Sequence, residues 1–425
     1  MKRRQVFILV IILLFSLSTI TSASQTINKE EAIKIAVEEN SELNKLRKEV
    51  ERTEAQLKEA KGAFYPTLDL GSNYTRSGEE PQVGASKDNY SVSLNLKQPL
   101  FKAGQLRSAY EIAKNNLKIS KLQLEQKKEE VIYQVLEEYY NILKIKETVD
   151  LRKQQVDQNK EYVKVAEVNK EVGISTKSDL LQAKVSYNQA QQELLISKNN
   201  LETAKLALKN TLNMSDDVEL KISDALNWQK AEFKMEDVYE YSLHNKSTFK
   251  LLDLQEENAK LNLKNKKNSN IYPEISLNAG YEASDDKLTV SDGDWQTTLS
   301  FSYNLFNGGR DKQQEKQLKK VLEKIKIDQQ QTKKDIRLSI KTTLLNLRAA
   351  KERINLNKLN LKQAQENLKN NELKFKEGII SSLDLLDVQT TYQQIQIQYY
   401  QAIYDYNLAV AELNKVIGKI TEEAK

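Results

Sequence analysis

Cysteine is absent from this 425-residue chain, histidine occurs once (His244), proline four times and glycine twelve times. Each shortage excludes something. Without cysteine there are no disulfides, thiolate metal sites, thiol nucleophiles or lipid attachments at a cysteine. One histidine rules out a His-pair metal site and a His relay. So few glycines and prolines cannot serve the loops of an ordinary globular chain of this length. A sequence poor in breakers, and rich in Lys, Glu, Gln, Leu and Asn, is expected to be mostly long helix. The usual toolkit of an enzyme is missing, and no cofactor is called for.

Met1-Lys2-Arg3-Arg4 opens the chain with basic residues, an apolar run from Val6 to Phe15 follows, and Thr21-Ser22-Ala23 offers a cleavage site. This is the three-part layout of a secretory signal peptide over residues 1–23. The run is short for a membrane anchor. Removing Lys2, Arg3 and Arg4 takes the formal net charge from +5 to +2, because residues 1–23 contain no acid. A nearly neutral mature chain gives no case for nucleic-acid binding. Its many charges fit solvated helix faces.

One unit is written twice. The segment Lys170-Glu171-Val172-Gly173-Ile174-Ser175-Thr176-Lys177-Ser178-Asp179-Leu180-Leu181 returns as Lys376-Glu377-Gly378-Ile379-Ile380-Ser381-Ser382-Leu383-Asp384-Leu385-Leu386. Gly173 to Gly378 is an offset of 205, which also carries Gly104 onto Gly309. Phe64-Tyr65-Pro66 recurs as Ile271-Tyr272-Pro273 at an offset of 207. Solenoid periods run roughly 20–50 residues, so this is duplication of a whole structural unit. The expected division is a first repeat over 24–214, a linker over 215–235 and a second repeat over 236–425. Each repeat should hold a helix, a strand pair (66–98 or 273–305), a long helix, a tip and a returning helix.

Val135, Ile142, Val149, Val156 and Val163 recur every seven residues, as do Ile340, Leu347, Ile354, Leu361, Leu368 and Phe375. After each tip a second series follows: Leu180, Tyr187, Leu194, Leu201, Leu208, and Leu385, Tyr392, Tyr399, Tyr406, Leu413. Sustained heptads predict coiled-coil helices. The stretch 102–171 has no proline and only Gly104 near its start. At ~1.5 Å per residue it would form a helix on the order of 100 Å long, suited to a rod, spacer or tunnel wall.

Elsewhere the period is two. Leu68, Leu70 and Tyr74 alternate with polar residues, as do Tyr90, Val92, Leu94 and Leu96. Ile275, Leu277, Ala279 and Tyr281 repeat the pattern, then Trp295, Leu299, Phe301, Tyr303 and Leu305. These predict four strands with one apolar and one polar face. The heptad helices already use their own seams, so the apolar face fits lipid better than a soluble core, as in an outer-membrane barrel. Four strands cannot close such a barrel, which needs about eight or more. Two, three or four copies would give 8, 12 or 16. The helices should be periplasmic, and the polar loops 77–88 and 284–294 external. Pro66, Pro81, Pro99 and Pro273 fall at strand edges or in the first loop.

Duplicated strand-pair-plus-long-helix halves, with Val-Gly-Ile-Ser-Thr-Lys-Ser-Asp and Glu-Gly-Ile-Ile-Ser-Ser-Leu-Asp-Leu-Leu-Asp at matching turns, resemble the TolC family of outer membrane efflux proteins. Tyr-Pro and Leu-Phe-x-x-Gly at the strand borders add to the likeness, which covers essentially the whole mature chain. The resemblance implies a mostly α protein with a transmembrane β-barrel. A homotrimer would close a twelve-strand barrel continued by a twelve-helix periplasmic tunnel. Members serve as exit ducts for drug efflux and type I secretion, with an inner-membrane transporter and a periplasmic membrane-fusion adaptor as partners.

The resemblance also implies sites. Gly173, Ile174, Ser175 and Thr176, with Gly378, Ile379, Ile380 and Ser381, would be the helix-turn-helix tips that dock the adaptor. Asp384 and Asp387, six and nine residues past Gly378, would line the constriction at the periplasmic entrance. Three residues apart, they share a helix face. Asp384 also suits the first turn of its helix as an acid or cap. In the family's gate an Asp of the first copy bonds an Arg and a Tyr of the second. The matching positions here are Asp179, Ile380 and Phe375, and the last two cannot donate those bonds. Apolar packing of Ile380 and Phe375 is the expected substitute. A periplasmic adaptor or a structural coiled-coil protein would not need four strands with a consistent lipid-facing side.

Overall fold

The computed structural model describes residues 24–78, 86–173, 175–287, 292–377 and 379–424. The expected signal peptide, Pro81, Ile174 and Gly378 lie outside these residues. The chain runs β1 (Ser24–Ile27), α1 (Lys29–Glu39), α2 (Ser41–Gly62), β2 (Thr67–Arg76), β3 (Asp88–Lys102), α3 (Gln105–Glu171) and α4 (Lys177–Thr211). It continues β4 (Glu219–Ile222), α5 (Met235–Asn245), α6 (Ser247–Ser269), β5 (Glu274–Asp285), β6 (Gly293–Ser302), α7 (Arg310–Lys376) and α8 (Ser382–Ile417). A 3-10 turn covers Ile420–Ala424. Among the described residues no helix is long and apolar enough to cross a membrane. The contacts divide the chain into two compact units.

One unit comprises Glu42–Lys127 and Glu240–Leu338. It holds a four-stranded sheet in the order β2-β3-β5-β6, antiparallel throughout. The period-two alternation has its expected consequence, with one modification. Pro99, which has no N–H to give, sits at a bulge between Pro99 and Phe101. The apolar face is bare: Leu68, Leu70, Tyr74, Trp295, Leu299 and Phe301 are 54–78% exposed. Strands β2 and β6 are both edges. Ala103 and Gly104 take φ of 46° and 81° as β3 passes into α3, and Gly308 and Gly309 take 70° and 79° before α7. Left-handed backbone explains why glycine recurs at both junctions. Some of the helix contacts in this unit are polar, although Leu43, Phe249 and Ala259 are buried there too. Thr53 Oγ1 lies 2.8 Å from Ser120 Oγ, and Asn115 Nδ2 donates to Asn258 Oδ1 at 3.0 Å.

The other unit comprises Met1–Ser41, Lys128–Tyr239 and Ser339–Lys425. Its core is apolar: Ile33, Leu136, Ile142, Leu208, Leu212, Ile340, Ile354 and Leu413 are each at most 1% exposed. Burial of each contributes roughly 1.5–3 kcal/mol. Heptad residues Val135, Ile142, Val149, Ile340, Leu347 and Ile354 are buried. Val156, Val163, Leu361 and Leu368, nearer the helix turns, are only half-buried. Strand β1 pairs in parallel with β4, Ser24 opposite Glu219 through Ile27 opposite Ile222. Two buried tyrosines hold the neighbouring segment. Tyr139 donates to Asp224 Oδ2 at 2.6 Å, and Tyr406 accepts from Ala231 N and donates to the Gln229 carbonyl. Each buries a ring and still satisfies its hydroxyl.

Candidate functional site

The turns between α3 and α4 and between α7 and α8 are the two tips, both in the second unit described. At the first, Gly173 is left-handed at φ 80° with open space where a Cβ would stand. Half-buried Ser175 donates its N–H to the Asn169 carbonyl at 3.1 Å. Thr176 is then extended and starts α4. Its Oγ1 accepts from Asp179 N at 3.2 Å, while Asp179 Oδ2 accepts from Thr176 N and Oγ1 at 2.7 and 2.9 Å. The second tip repeats this. Ser381 Oγ accepts from Asp384 N at 3.2 Å, and Asp384 Oδ2 accepts from Ser381 N and Oγ at 3.0 and 2.7 Å.

Both are reciprocal capping boxes. Thr-x-x-Asp and Ser-x-x-Asp at an offset of 205 therefore do the same local job. The bonds from Thr176 backbone and hydroxyl hold the Asp179 carboxyl below its ordinary range, and those from Ser381 do so for Asp384. Asp387 lies one turn further along α8, exposed and with no ion pair among the described residues. Its counterpart on α4 is Gln182. Ile379 is 65% exposed and its N–H donates to the Lys374 carbonyl at 2.9 Å.

Asp179, Phe375 and Ile380 come together. All three line one cleft of about 450 Å³, with Asn159, Tyr162 and Leu386 among its other walls. Phe375 and Tyr162 meet edge to face at 6.3 Å and 81°. Burial pushes the Tyr162 hydroxyl up to about 12 despite the opposing effect of the Gln389 amide. Beside the cleft is a layer of buried amides: Asn159, Gln389 and Gln393 are 3%, 6% and 6% exposed. Gln393 Nε2 donates to Gln158 Oε1 at 3.1 Å, and Asn159 Nδ2 to the Ser186 carbonyl at 3.4 Å. Asn159 Oδ1, Gln389 Oε1 and Gln393 Oε1 have no partner among the described residues. Sequence reasoning missed Asn159, Tyr162, Gln389 and Gln393. The available signal was polar residues at inward-facing positions of heptad helices.

The sequence profile described as "Outer membrane efflux protein" matches residues 32–214 and 252–419. The chain belongs to the outer membrane efflux protein family. Two relatives extend the match over nearly the whole chain. Outer membrane efflux protein BepC of Brucella suis is 23% identical over 391 residues, covering 91% of this chain and 84% of that protein. Outer membrane protein TolC of Escherichia coli is 22% identical over 446 residues, covering 98% and 87%. The solved CmeC outer membrane channel of Campylobacter jejuni superposes with a TM-score of 0.80 at 17% identity, over 96% of this chain and 94% of that one. It shares the fold. As an outer membrane efflux protein the chain resides in the outer membrane, which accounts for the bare apolar face of its sheet.

Proposed function

We propose that this outer membrane efflux protein is a passive channel-tunnel, an exit duct for small molecules or for type I protein secretion. The observation that carries this reading is the sheet, with its apolar face uncovered and both edges free. Open edges in lipid leave unpaired backbone groups, each costing several kcal/mol, so further copies must supply the missing strands. Three chains would close a twelve-strand barrel, the number the family resemblance favours among 8, 12 and 16. The two repeats, 24–214 and 236–425 about the 215–235 linker, would then alternate around a twelve-helix periplasmic tunnel.

The tips at Gly173–Thr176 and Gly378–Ser381 dock a periplasmic membrane-fusion adaptor, through which an inner-membrane transporter supplies the energy. Asp384 and Asp387 face the entrance constriction, and Phe375 and Ile380 hold the gate near Asp179 by apolar packing. No catalytic step belongs to this function. Planar-bilayer recording of the purified, signal-cleaved protein, with its oligomer mass, tests the reading. Discrete cation-selective steps from a trimer are expected. A folded oligomer without steps would return the chain to a structural coiled-coil role.

A further inference from the structure

The cleft at the tips has the makings of a binding site separate from the constriction, since Asp387 is not among the residues that line it. Its volume, about 450 Å³, falls within the roughly 300–1,000 Å³ of small-molecule sites. One wall is apolar and aromatic: Tyr162, Phe375, Ile380 and Leu386. Asp179 carries the only formal charge among the described lining residues. Its Oδ2 serves the helix cap, and its Oδ1 makes no hydrogen bond among the described residues. The starts of α4 and α8 each offer about half a positive charge, and the full carboxylates of Asp179 and Asp384 outweigh them.

A second observation points to a ligand. Asn159 is 3% exposed and lines the cleft. Its Nδ2 is occupied by the Ser186 carbonyl, yet its Oδ1 has no donor. A buried acceptor left without a donor is costly and uncommon. Of the three unpartnered amide oxygens beside the cleft, only that of Asn159 belongs to a residue lining it. A water would satisfy Asn159 alone and would gain nothing from the aromatic wall.

We propose that this cleft binds a small aromatic organic cation. Its N–H donates to Asn159 Oδ1, its charge lies beside Asp179, and its ring packs on Tyr162 and Phe375. An anion is disfavoured by the same carboxylate, and a neutral hydrocarbon would leave Asn159 unpaired. Aromatic faces favour cations further.

Equilibrium dialysis of ethidium against the full-length purified oligomer in detergent tests this, with the anion fluorescein as control. Saturable binding at one site per chain is expected for ethidium and none for fluorescein. Ala183→Trp, which fills the cleft from α4, should abolish it. Asn159→Leu and Asp179→Asn should each weaken it about tenfold; the asparagine keeps an oxygen for Thr176, so the cap survives. Variants are compared only where they elute as the wild-type oligomer. Absent saturable binding, binding retained by Ala183→Trp, or equal uptake of fluorescein would each overturn the proposal. Bilayer conductance of the same preparation keeps the two readings apart: steps without ethidium binding sink only the cleft, and binding without steps sinks only the pore.

Discussion

The two tips begin alike and diverge within one turn. Thr176 with Asp179, and Ser381 with Asp384, form the same reciprocal cap at helix starts 205 residues apart. Three residues on, the first copy has Gln182 and the second has Asp387. A carboxylate at the cap spends one oxygen on the helix; one a turn later is free to act on something else. The duplication thus holds two equivalent scaffolds, and the second is the more acidic at two positions, Ser382 standing where the first copy has Lys177 and Asp387 where it has Gln182. Of the two aspartates proposed for the constriction, Asp384 has a structural duty and Asp387 has none among the described contacts.

The largest expected effect follows from that asymmetry. In the proposed trimer Asp387 would form a ring of three carboxylates, whose crowded like charges favour bound cations. Asp387→Ala should weaken block by a trivalent cation, added on the periplasmic side in bilayer recordings, by roughly tenfold or more. Gln182→Asp should move the first tip towards the second and strengthen block several-fold. If Asp384→Ala weakened block as much as Asp387→Ala, the division of labour between cap and constriction would be wrong.

A second contrast concerns the proposed gate. Asp179 reaches the cleft from the first copy, and the second copy answers with Phe375 and Ile380, neither of which can bond it. Tyr162 supplies the aromatic contact to Phe375 instead. Placing a charge in that packing should loosen it. Ile380→Asp is expected to raise resting dye leakage several-fold in cells, read as fluorescence uptake. Unchanged leakage would show that the closed state does not depend on this apolar contact.

How much of this was legible in the sequence depended on the length scale of the signal. Heptads running through Val135 or Ile340 announce long helices because each repeat reinforces the last. Leu68–Tyr74 and Trp295–Phe301 announce strands for the same reason, and the exposed apolar face is what that pattern requires of a membrane sheet. The caps were legible only in part: Asp384 stands out as a first-turn acid, but the cap itself is Ser381, and sequence reasoning missed the matching pair Thr176 and Asp179. Strand β1 was not: four residues, Ser24–Ile27, carry no period and become a strand only through distant Glu219–Ile222. The amide layer was hidden for another reason. Gln389 and Gln393 look like solvated helix residues until a second helix covers them.

The smallest effects lie in the caps themselves, and here the two tips should agree. Thr176→Ala and Ser381→Ala each remove a helix cap worth about 1 kcal/mol, which would speed hydrogen exchange of the first turn roughly fivefold. The pH response has a definite sign. Asp179 and Asp384 are both shifted below the ordinary value of 3.8 by bonds that only the folded tip makes. Their contribution is therefore complete above the unfolded value and fades as pH falls through the lower folded one. Tip amides, corrected for intrinsic exchange, should keep constant protection from pH 8 to about 5 and lose it below about 4. Thr176→Ala and Ser381→Ala should reduce that loss without abolishing it, because the hydroxyl donor goes while the backbone N–H at each position still reaches the carboxyl. The reduction should be smaller at Asp179, where the backbone bond dominates. A response at one tip and not the other would mean that the shared cap is not equally formed. The difference between the copies would then begin at the helix start, one turn before Gln182 and Asp387.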